Sequence, residues 1–175
     1  MKKMRKIKKL RAVILKEEYF ENMNIKVPDN GLLWNKTGRP TIIVFPHPTN
    51  ENLSICIPLT SDKNNHYKNR ECLKIKKYGK CNTIIFDNFN GVENAYLIQN
   101  MFPISNKYIH HSFRSKGGND YYLNKKLSGK IFDNAKKVFE YYKKGVKNEI
   151  LTKFNEIEEV LVNEIKKEKN KGYEG

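Results

Sequence analysis

Apolar residues are grouped in two different ways along the chain, and the grouping changes after Ile104. Before that position they form short β-branched or alternating runs between turn residues, which is typical of a sheet of short strands. A short helix or turn is expected around Tyr19, and the loop PHPTNEN predicts a hairpin. The predicted strands are Leu10–Leu15, Thr41–Phe45, LSICIPLT, two short strands around Gly79, and a strand or helix–strand pair in GVENAYLIQNMFPIS.

The last third of the chain has the period of amphipathic helices. It follows a polar loop, HSFRSKGGNDYY, and Gly145 is expected to break or kink the first helix. Stripes of this kind ordinarily cover a sheet, so we expect core packing rather than a partner seam. The first stripe is Ile131, Ala135, Val138, Phe139 and Tyr142, and the second is Ile150, Phe154, Ile157, Leu161 and Ile165.

These elements predict a single α+β domain over residues 1–175, which is long enough for one core. We expect a strongly twisted antiparallel sheet or partly open barrel with C-terminal amphipathic helices. The expected parts are a basic leader at 1–9, a mainly sheet region at 10–105, and helices at 130–170. No apolar run approaches the roughly 18 residues of a membrane span, and the apolar part of the N-terminus is too short for a signal peptide. We therefore expect a cytoplasmic protein.

Charge adds a function class to this picture. The chain has 34 Lys and Arg against 19 Asp and Glu, a net charge of +15. Residues 1–129 hold 23 basic and 10 acidic residues, whereas residues 130–175 hold 11 and 9. An AT-rich genome would also favour a lysine-rich composition, but it explains less readily why the charge excess lies in residues 1–129. A field of that sign attracts polyanions, so we expect nucleic-acid binding.

The cysteines indicate no cofactor. Cys56, Cys72 and Cys81 are odd in number and lack CxxC spacing. A zinc site with His66 is conceivable, but the ligands do not come in the close pairs that structural zinc prefers. We expect reduced thiols, no metal site and no cofactor.

Candidate chemistry is concentrated in TSDKNNH, directly after the third predicted strand. RNA can be cleaved without a metal if its own 2′-hydroxyl attacks the phosphorus while a protein moves protons and stabilises the phosphoryl oxygens. Lys63 suits the charge role, the hydroxyls of Thr60 and Ser61 can orient a phosphate, and His66 could exchange a proton. The same residues also fit an interpretation without catalysis, because Asp62 after a strand is a common turn or helix N-cap residue.

Other groups could join the same edge. Lys36 and Arg39 in WNKTGRP would approach it if the hairpin forms, and Tyr19 and Tyr67 could stack on a base or contribute a phenol. The pair His110 and His111 shows no triad pattern and is expected at the surface. The further RNA-binding candidates are Lys8, Arg11, Lys68 and Arg70.

Three segments in order, KTGRPTIIVF, LSICIPLTSDKNNH and IQNMFPIS, give the chain a family resemblance. It resembles the RNA-cleaving toxins of type III toxin–antitoxin systems, the ToxN, AbiQ, CptN and TenpN group. In that family an Arg-Pro precedes one strand, and a proline-leucine-hydroxyl-hydroxyl-x-lysine motif ends the next. A later strand runs into Met/Phe-Pro-Ile. The motifs cover residues 36–105, and Asp62 departs from them because the family commonly has proline there.

The resemblance implies a MazF/PemK-like core and a metal-independent, sequence-specific endoribonuclease that leaves a 2′,3′-cyclic phosphate, often at adenine-rich sites. It also implies an antitoxin that is a repeat-derived RNA pseudoknot, cyclic toxin–RNA assemblies, and phage defence by abortive infection. Carried over by motif, the catalytic group is Thr60, Ser61 and Lys63, with Lys36 and Tyr19 beside it.

Two alternatives remain open from the sequence. A non-catalytic RNA-binding protein would bind RNA with a steep salt dependence and leave it intact. A MazF-like toxin with a protein antitoxin would form an inhibited complex without nucleic acid.

Overall fold

The computed structural model describes residues 9–33, 38–146 and 149–173, which contain seven strands and four α-helices. The strands are β1 (Arg11–Leu15), β2 (Thr41–Pro46), β3 (Leu53–Thr60), β4 (Ile84–Phe89), β5 (Val92–Leu97), β6 (Phe102–Ser105) and β7 (Ile109–Ser112). The helices are α1 (Glu17–Lys26), α2 (His66–Tyr78), α3 (Lys125–Lys143) and α4 (Phe154–Tyr173).

The strands form one open antiparallel sheet in the order β4-β5-β3-β2-β1-β7, with β6 also paired to β3. Every strand pair within the described residues is antiparallel, and the two ends of this order do not pair with each other. The expected α+β fold, with an antiparallel sheet that does not close and with C-terminal helices, is confirmed.

Strand β3 lies at the centre of this sheet. One edge pairs with β2, and the other pairs with β6 over its first half and with β5 at its end. The 3₁₀ turn Ile98–Asn100 separates β5 from β6 and is left out of the ladder. Cys56 therefore pairs with Phe102, whereas Leu59 pairs with Tyr96. The GVENAYLIQNMFPIS segment, predicted as a strand or a helix–strand pair, thus consists of two strands, β5 and β6, separated by a 3₁₀ turn.

The C-terminal helices cover the sheet as their apolar periods predict. Helix α3 is capped by Asn124, whose side chain accepts a hydrogen bond from the backbone N–H of Leu127 at 2.8 Å, and it ends before Gly145, which has φ +97°. The Phe45 ring of β2 meets the Phe139 ring of α3 edge to face at 5.5 Å. Every member of the first apolar stripe is buried, as are Ile150, Phe154, Ile157 and Leu161 of the second.

Two carboxylates of α4 also form hydrogen bonds and an ion pair with the rest of the protein. Glu158 accepts a hydrogen bond from the His47 ring at 2.8 Å, next to the end of β2. Glu164 accepts one from the Tyr108 hydroxyl at 2.8 Å and pairs with Lys26 of α1 at 3.1 Å. Burial opposes ionisation at both sites, but these hydrogen bonds and nearby lysines outweigh it and lower the pKa of both carboxyl groups.

The prediction of two strands around Gly79 is wrong in part, because the first of them is helix α2. The alternation of Leu73 and Ile75 with lysines suggested a strand, but these two side chains are 66% and 46% exposed and face no core. The helix ends at Gly79, which takes the left-handed conformation at φ +76°. Strand β7 was not predicted, since it forms inside a segment assigned to a polar loop and its approach.

No helix in the described part of the chain combines the length and apolar character needed to cross a bilayer.

Candidate functional site

The TSDKNNH segment joins the end of β3 to the start of α2. Both carboxylate oxygens of Asp62 accept backbone hydrogen bonds at 3.0 Å, one from Tyr67 and the other from Lys68. These are N–H groups of the first helical turn, which have no partner inside the helix, so the Asp62 side chain caps α2. Its negative charge also interacts favourably with the positive end of the helix dipole. The plain interpretation of Asp62 as a capping residue is confirmed.

Capping by Asp62 leaves its neighbours available. Thr60 is the last residue of β3 and pairs with Ala95 of β5, while Ser61 and Lys63 are exposed on the turn that follows. We call the segment Thr60–Lys63 the rim. Asp62 takes a φ of +44° here, a left-handed conformation that a proline could not adopt. Proline could therefore not take the place of Asp62 in this backbone conformation.

The β2–β3 hairpin brings Arg39 to the same end of the sheet as the rim. Thr41, the first residue of β2, pairs with Pro58 of β3, so the chain before Thr41 and the chain after Pro58 leave the hairpin together. The expectation that the hairpin forms is confirmed. Lys36 lies outside the described residues.

Tyr67 lies within electrostatic range of both Arg39 and Asp62 of the rim. Its half-buried side chain packs against Ile84, Ala95 and Leu97 of the sheet. Burial raises the pKa of the Tyr67 phenol, an effect that the positive charges of Arg70 and Arg39 oppose and the carboxylate of Asp62 reinforces. The phenol is therefore neutral at physiological pH. It sits within the electrostatic reach of two arginines and can donate a hydrogen bond or stack on a base.

A cleft of about 460 Å³ has Arg39 and Leu33 in its lining. Leu33 and Tyr67 both pack against the apolar cluster of Ile84, Ala95 and Leu97, so the cleft shares one residue with the surroundings of Tyr67. The polar residues in its lining are Lys16, Glu17, Arg39, Thr41, His110 and His111. The other lining residues are apolar or Gly38, so the cleft has largely apolar walls that carry two cations and one carboxylate.

The histidine pair is exposed, as expected, but its position in the lining of the cleft was not predicted from the sequence. His110 and His111 lie on β7, and His111 pairs with Ile14 of β1, which is nearly a hundred residues away in the chain. The two rings meet edge to face at 4.8 Å. No local motif marks them, because only the pairing of β7 with β1 places them in the cleft with Arg39.

The structure does not bring Tyr19 to the rim. Its side chain is fully buried, and its hydroxyl donates a hydrogen bond to the carbonyl of Pro103 at 2.8 Å. Burial raises the pKa of this phenol well above its usual value. Tyr19 and Met23 are one helical turn apart and form the buried face of α1. Tyr19 is therefore a core residue, and we leave it out of the candidate site.

The remaining RNA-binding candidates are dispersed. His66 is exposed at the start of α2, with its ring 4.9 Å from that of Tyr67. Lys68 of α2 forms an ion pair with Glu93 of β5 at 3.5 Å, and its ammonium group lies over the ring of Phe86 of β4. Arg11 is at the far end of β1 from the cleft, about 13 Å along the strand from Leu15, and contacts Ser112 at 3.3 Å. Lys8 lies outside the described residues.

No group of three or more His, Cys, Asp or Glu side chains is arranged to hold a metal ion within the residues that the structure describes. Cys56 is buried, Cys72 is exposed, and Cys81 is half-buried with its sulfur 3.7 Å from the Thr83 hydroxyl.

The fold and site together define an α+β protein with an open antiparallel sheet and, at the end of its central hairpin, a cleft that carries Arg39 and two histidines. Two solved structures share this fold. One is AbiQ, a lactococcal anti-phage endoribonuclease of the type III toxin–antitoxin system, with a TM-score of 0.63, 17% sequence identity, and coverage of 90% of this chain and 98% of AbiQ. The other comes from a bacterial type III toxin–antitoxin system in which a non-coding RNA pseudoknot selectively inhibits the toxin. It has a TM-score of 0.61, 17% identity, and coverage of 88% and 96%.

No protein-family model and no curated protein sequence matches this chain. At 17% identity, the two structures establish a common fold over nearly the whole length of both chains.

Proposed function

We propose that this protein is a metal-independent, sequence-specific endoribonuclease, the toxin of a type III toxin–antitoxin system. The observation that carries the proposal is that the rim, Arg39 and Tyr67 lie at one end of the central hairpin, on a fold shared over 90% of this chain with an endoribonuclease. The net charge of +15, concentrated in residues 1–129, suits a protein whose substrate is RNA.

The reaction that fits this site needs no attacking water. A base removes the proton of the RNA 2′-hydroxyl, and the 2′-oxygen then forms a bond to the adjacent phosphorus. The bond from phosphorus to the 5′-oxygen breaks, and that oxygen takes up a proton from an acid. The products are a 2′,3′-cyclic phosphate and a 5′-hydroxyl end, and their atoms balance those of the substrate.

The rim supplies the electrostatic part of this chemistry. The Lys63 ammonium is exposed one residue beyond the Asp62 cap, where it can hold the phosphoryl oxygens as negative charge develops on them. The hydroxyls of Thr60 and Ser61 orient the phosphate, and Arg39 adds a second cation from the cleft side. For proton transfer, His66 offers an imidazole three residues after Lys63, and His110 and His111 offer theirs in the cleft that Arg39 also lines.

The proposed partner is also RNA. The positive field that would hold a substrate would hold an inhibitory RNA as well, and one protein of the same fold belongs to a system in which a non-coding RNA pseudoknot inhibits the toxin. We propose a repeat-derived pseudoknot that this protein cuts from its precursor and then binds, closing with it into a cyclic assembly. The biological role that follows is phage defence by abortive infection in the cytoplasm.

Purified protein incubated with cellular RNA in the presence of a chelator is expected to cut it at a short recurring sequence. The new ends should carry a 2′,3′-cyclic phosphate and a 5′-hydroxyl, which end-specific ligation and mass spectrometry identify. RNA that is bound but still intact after prolonged incubation would instead establish a non-catalytic RNA-binding protein, and loss of cleavage on chelation would reject the metal-independent route.

Replacing Tyr19 by phenylalanine is expected to leave RNA cleavage at the wild-type rate while lowering stability. The change removes a buried hydrogen bond and leaves the Pro103 carbonyl unpaired, which costs about 1 kcal/mol, or about 2–4 °C in Tm for a chain of this size. A thermal melt and a cleavage assay on the same preparation measure both quantities. A large loss of cleavage with an unchanged Tm would instead show that the Tyr19 hydroxyl takes part in catalysis.

A further inference from the structure

Helix α2 is unusual among the helices because none of its residues is buried, although it is thirteen residues long. It rests on the sheet along one narrow face. Tyr67, Glu71 and Lys74 are half-buried at a helical spacing, and the Lys74 ammonium donates a hydrogen bond to the Thr83 hydroxyl at 2.6 Å. A helix ordinarily forms because it buries an apolar stripe, so an exposed helix of this length indicates a role at the surface.

The exposed side next to this face carries an ordered row of side chains. His66, Arg70, Leu73 and Lys77 follow one another at spacings of four, three and four residues, which places them on one line along α2. We call this row the α2 stripe. It starts three residues after Lys63 of the rim and extends about 16 Å away from it. All four side chains are exposed.

The α2 stripe borders a groove of about 300 Å³. Arg70 and Leu73 form one side, and Glu149 and Leu151 from the segment before α4 form the other. Leu73 and Leu151 are 66% and 49% exposed, so the groove offers apolar surface between a basic lip and an acidic lip. Such an arrangement fits a chain that is anionic along one edge and apolar along the other.

Beneath the groove lies a buried polar group in need of a partner. Gln99 is 3% exposed and belongs to the groove lining, and among the described residues its side-chain nitrogen has no hydrogen-bond acceptor. A buried donor without an acceptor is costly, and the carbonyl or ring nitrogen of a nucleobase would satisfy it.

We propose that the single-stranded RNA leaving the rim runs along the α2 stripe, with its phosphates on Arg70 and Lys77 and its bases turned into the groove toward Leu73 and Leu151. Glu149 sets this orientation, because its carboxylate repels phosphate from the opposite lip. A basic track beside apolar surface is the usual means of holding single strands without strict sequence preference. This inference rests on the proposed ribonuclease function.

The test compares the double variant R70Q/K77Q with K166Q/K169Q, which removes the same charge from the exposed end of α4. Binding to a fully 2′-O-methylated RNA, which cannot be cut, is measured as a function of salt. The slope of log K against log salt should become shallower by about 1.4 in R70Q/K77Q, because two single-strand phosphate contacts are lost. It should change less in K166Q/K169Q, and circular dichroism should show helix content preserved in both, since glutamine is a good helix former.

Cleavage separates this inference from the proposed function. R70Q/K77Q should lose more kcat/KM on a long adenine-rich RNA than on a tetranucleotide that ends near the rim. If the salt slope of R70Q/K77Q equals that of the wild type, RNA does not bind along the α2 stripe. The same result is expected if α2 binds a protein instead. A slope change no larger than that of K166Q/K169Q also overturns the inference, since net charge alone would then account for the effect. If the wild-type protein cuts no RNA at all, it is the proposed function that fails.

Discussion

Replacing Lys63 by alanine is expected to abolish growth arrest on expression and to lower kcat/KM for RNA cleavage by about 100- to 1000-fold. The reason is electrostatic, because the ammonium group is placed to meet negative charge that develops only in the transition state, and loss of one such group has this effect in other enzymes. Stability should change little, by about 0.5 kcal/mol at most, since the side chain is exposed. Cleavage kinetics at equal protein concentration, with a thermal melt, measure both.

The matched control is Lys116→Ala, which removes the same charge from an exposed turn in the segment Ser115–Asn119. It should keep both toxicity and cleavage near wild type. If Lys63→Ala stayed fully toxic at equal expression, the rim would not be the catalytic group. An equal loss in both variants would mean that net charge matters and position does not.

The sheet and the C-terminal helices could be predicted because the apolar residues of each follow a pattern typical of that structure. Strands β1, β2 and β3 follow from short β-branched runs, and the apolar stripe from Ile131 to Tyr142 follows from a 3.6-residue repeat. Core burial and local pattern agree in these elements. The resemblance carried by three ordered motifs also anticipated the fold that the two solved structures share.

Helix α2 could not be predicted in this way, because apolar burial does not determine it. Leu73 and Ile75 alternate with lysines as in a strand, yet both point to solvent. The helix is set instead by its ends, where Asp62 caps the first turn and Gly79 closes the last. Asp62 was recognised as a candidate cap, but the tight loop between cap and helix, with Asn65 at φ +54°, has no strong sequence signal.

The candidate site was predictable only where it is local in sequence. The rim is a continuous segment, and Arg39 joins it through a hairpin whose loop is short. His110 and His111 reach the cleft through the pairing of β7 with β1, a contact that no spacing rule reveals. Tyr19 shows the opposite error. The family resemblance placed Tyr19 beside the catalytic group, but its one-turn spacing from Met23 describes the inner face of α1.

A single 2′-deoxy substitution at the nucleotide on the 5′ side of the cut is expected to stop cleavage at that bond completely. Without the 2′-hydroxyl there is no internal nucleophile, and a rim built to hold the phosphate and its charge has no other attacking group to offer. Binding should persist, because the phosphates that meet Lys63, Arg39 and the α2 stripe are unchanged. Synthetic oligonucleotides, analysed for products over time and for affinity, measure both effects.

The control is the same substitution one nucleotide further along, which should leave cleavage near the wild-type rate, since that hydroxyl is not the nucleophile. Residual cleavage at the substituted bond, with a product that ends in a linear phosphate, would show that water attacks instead. The histidines in the cleft would then have to activate that water, and Lys63 would keep only its charge role. The two experiments therefore test separate halves of the chemistry, Lys63→Ala the stabilisation of charge and the 2′-deoxy substrate the source of the nucleophile.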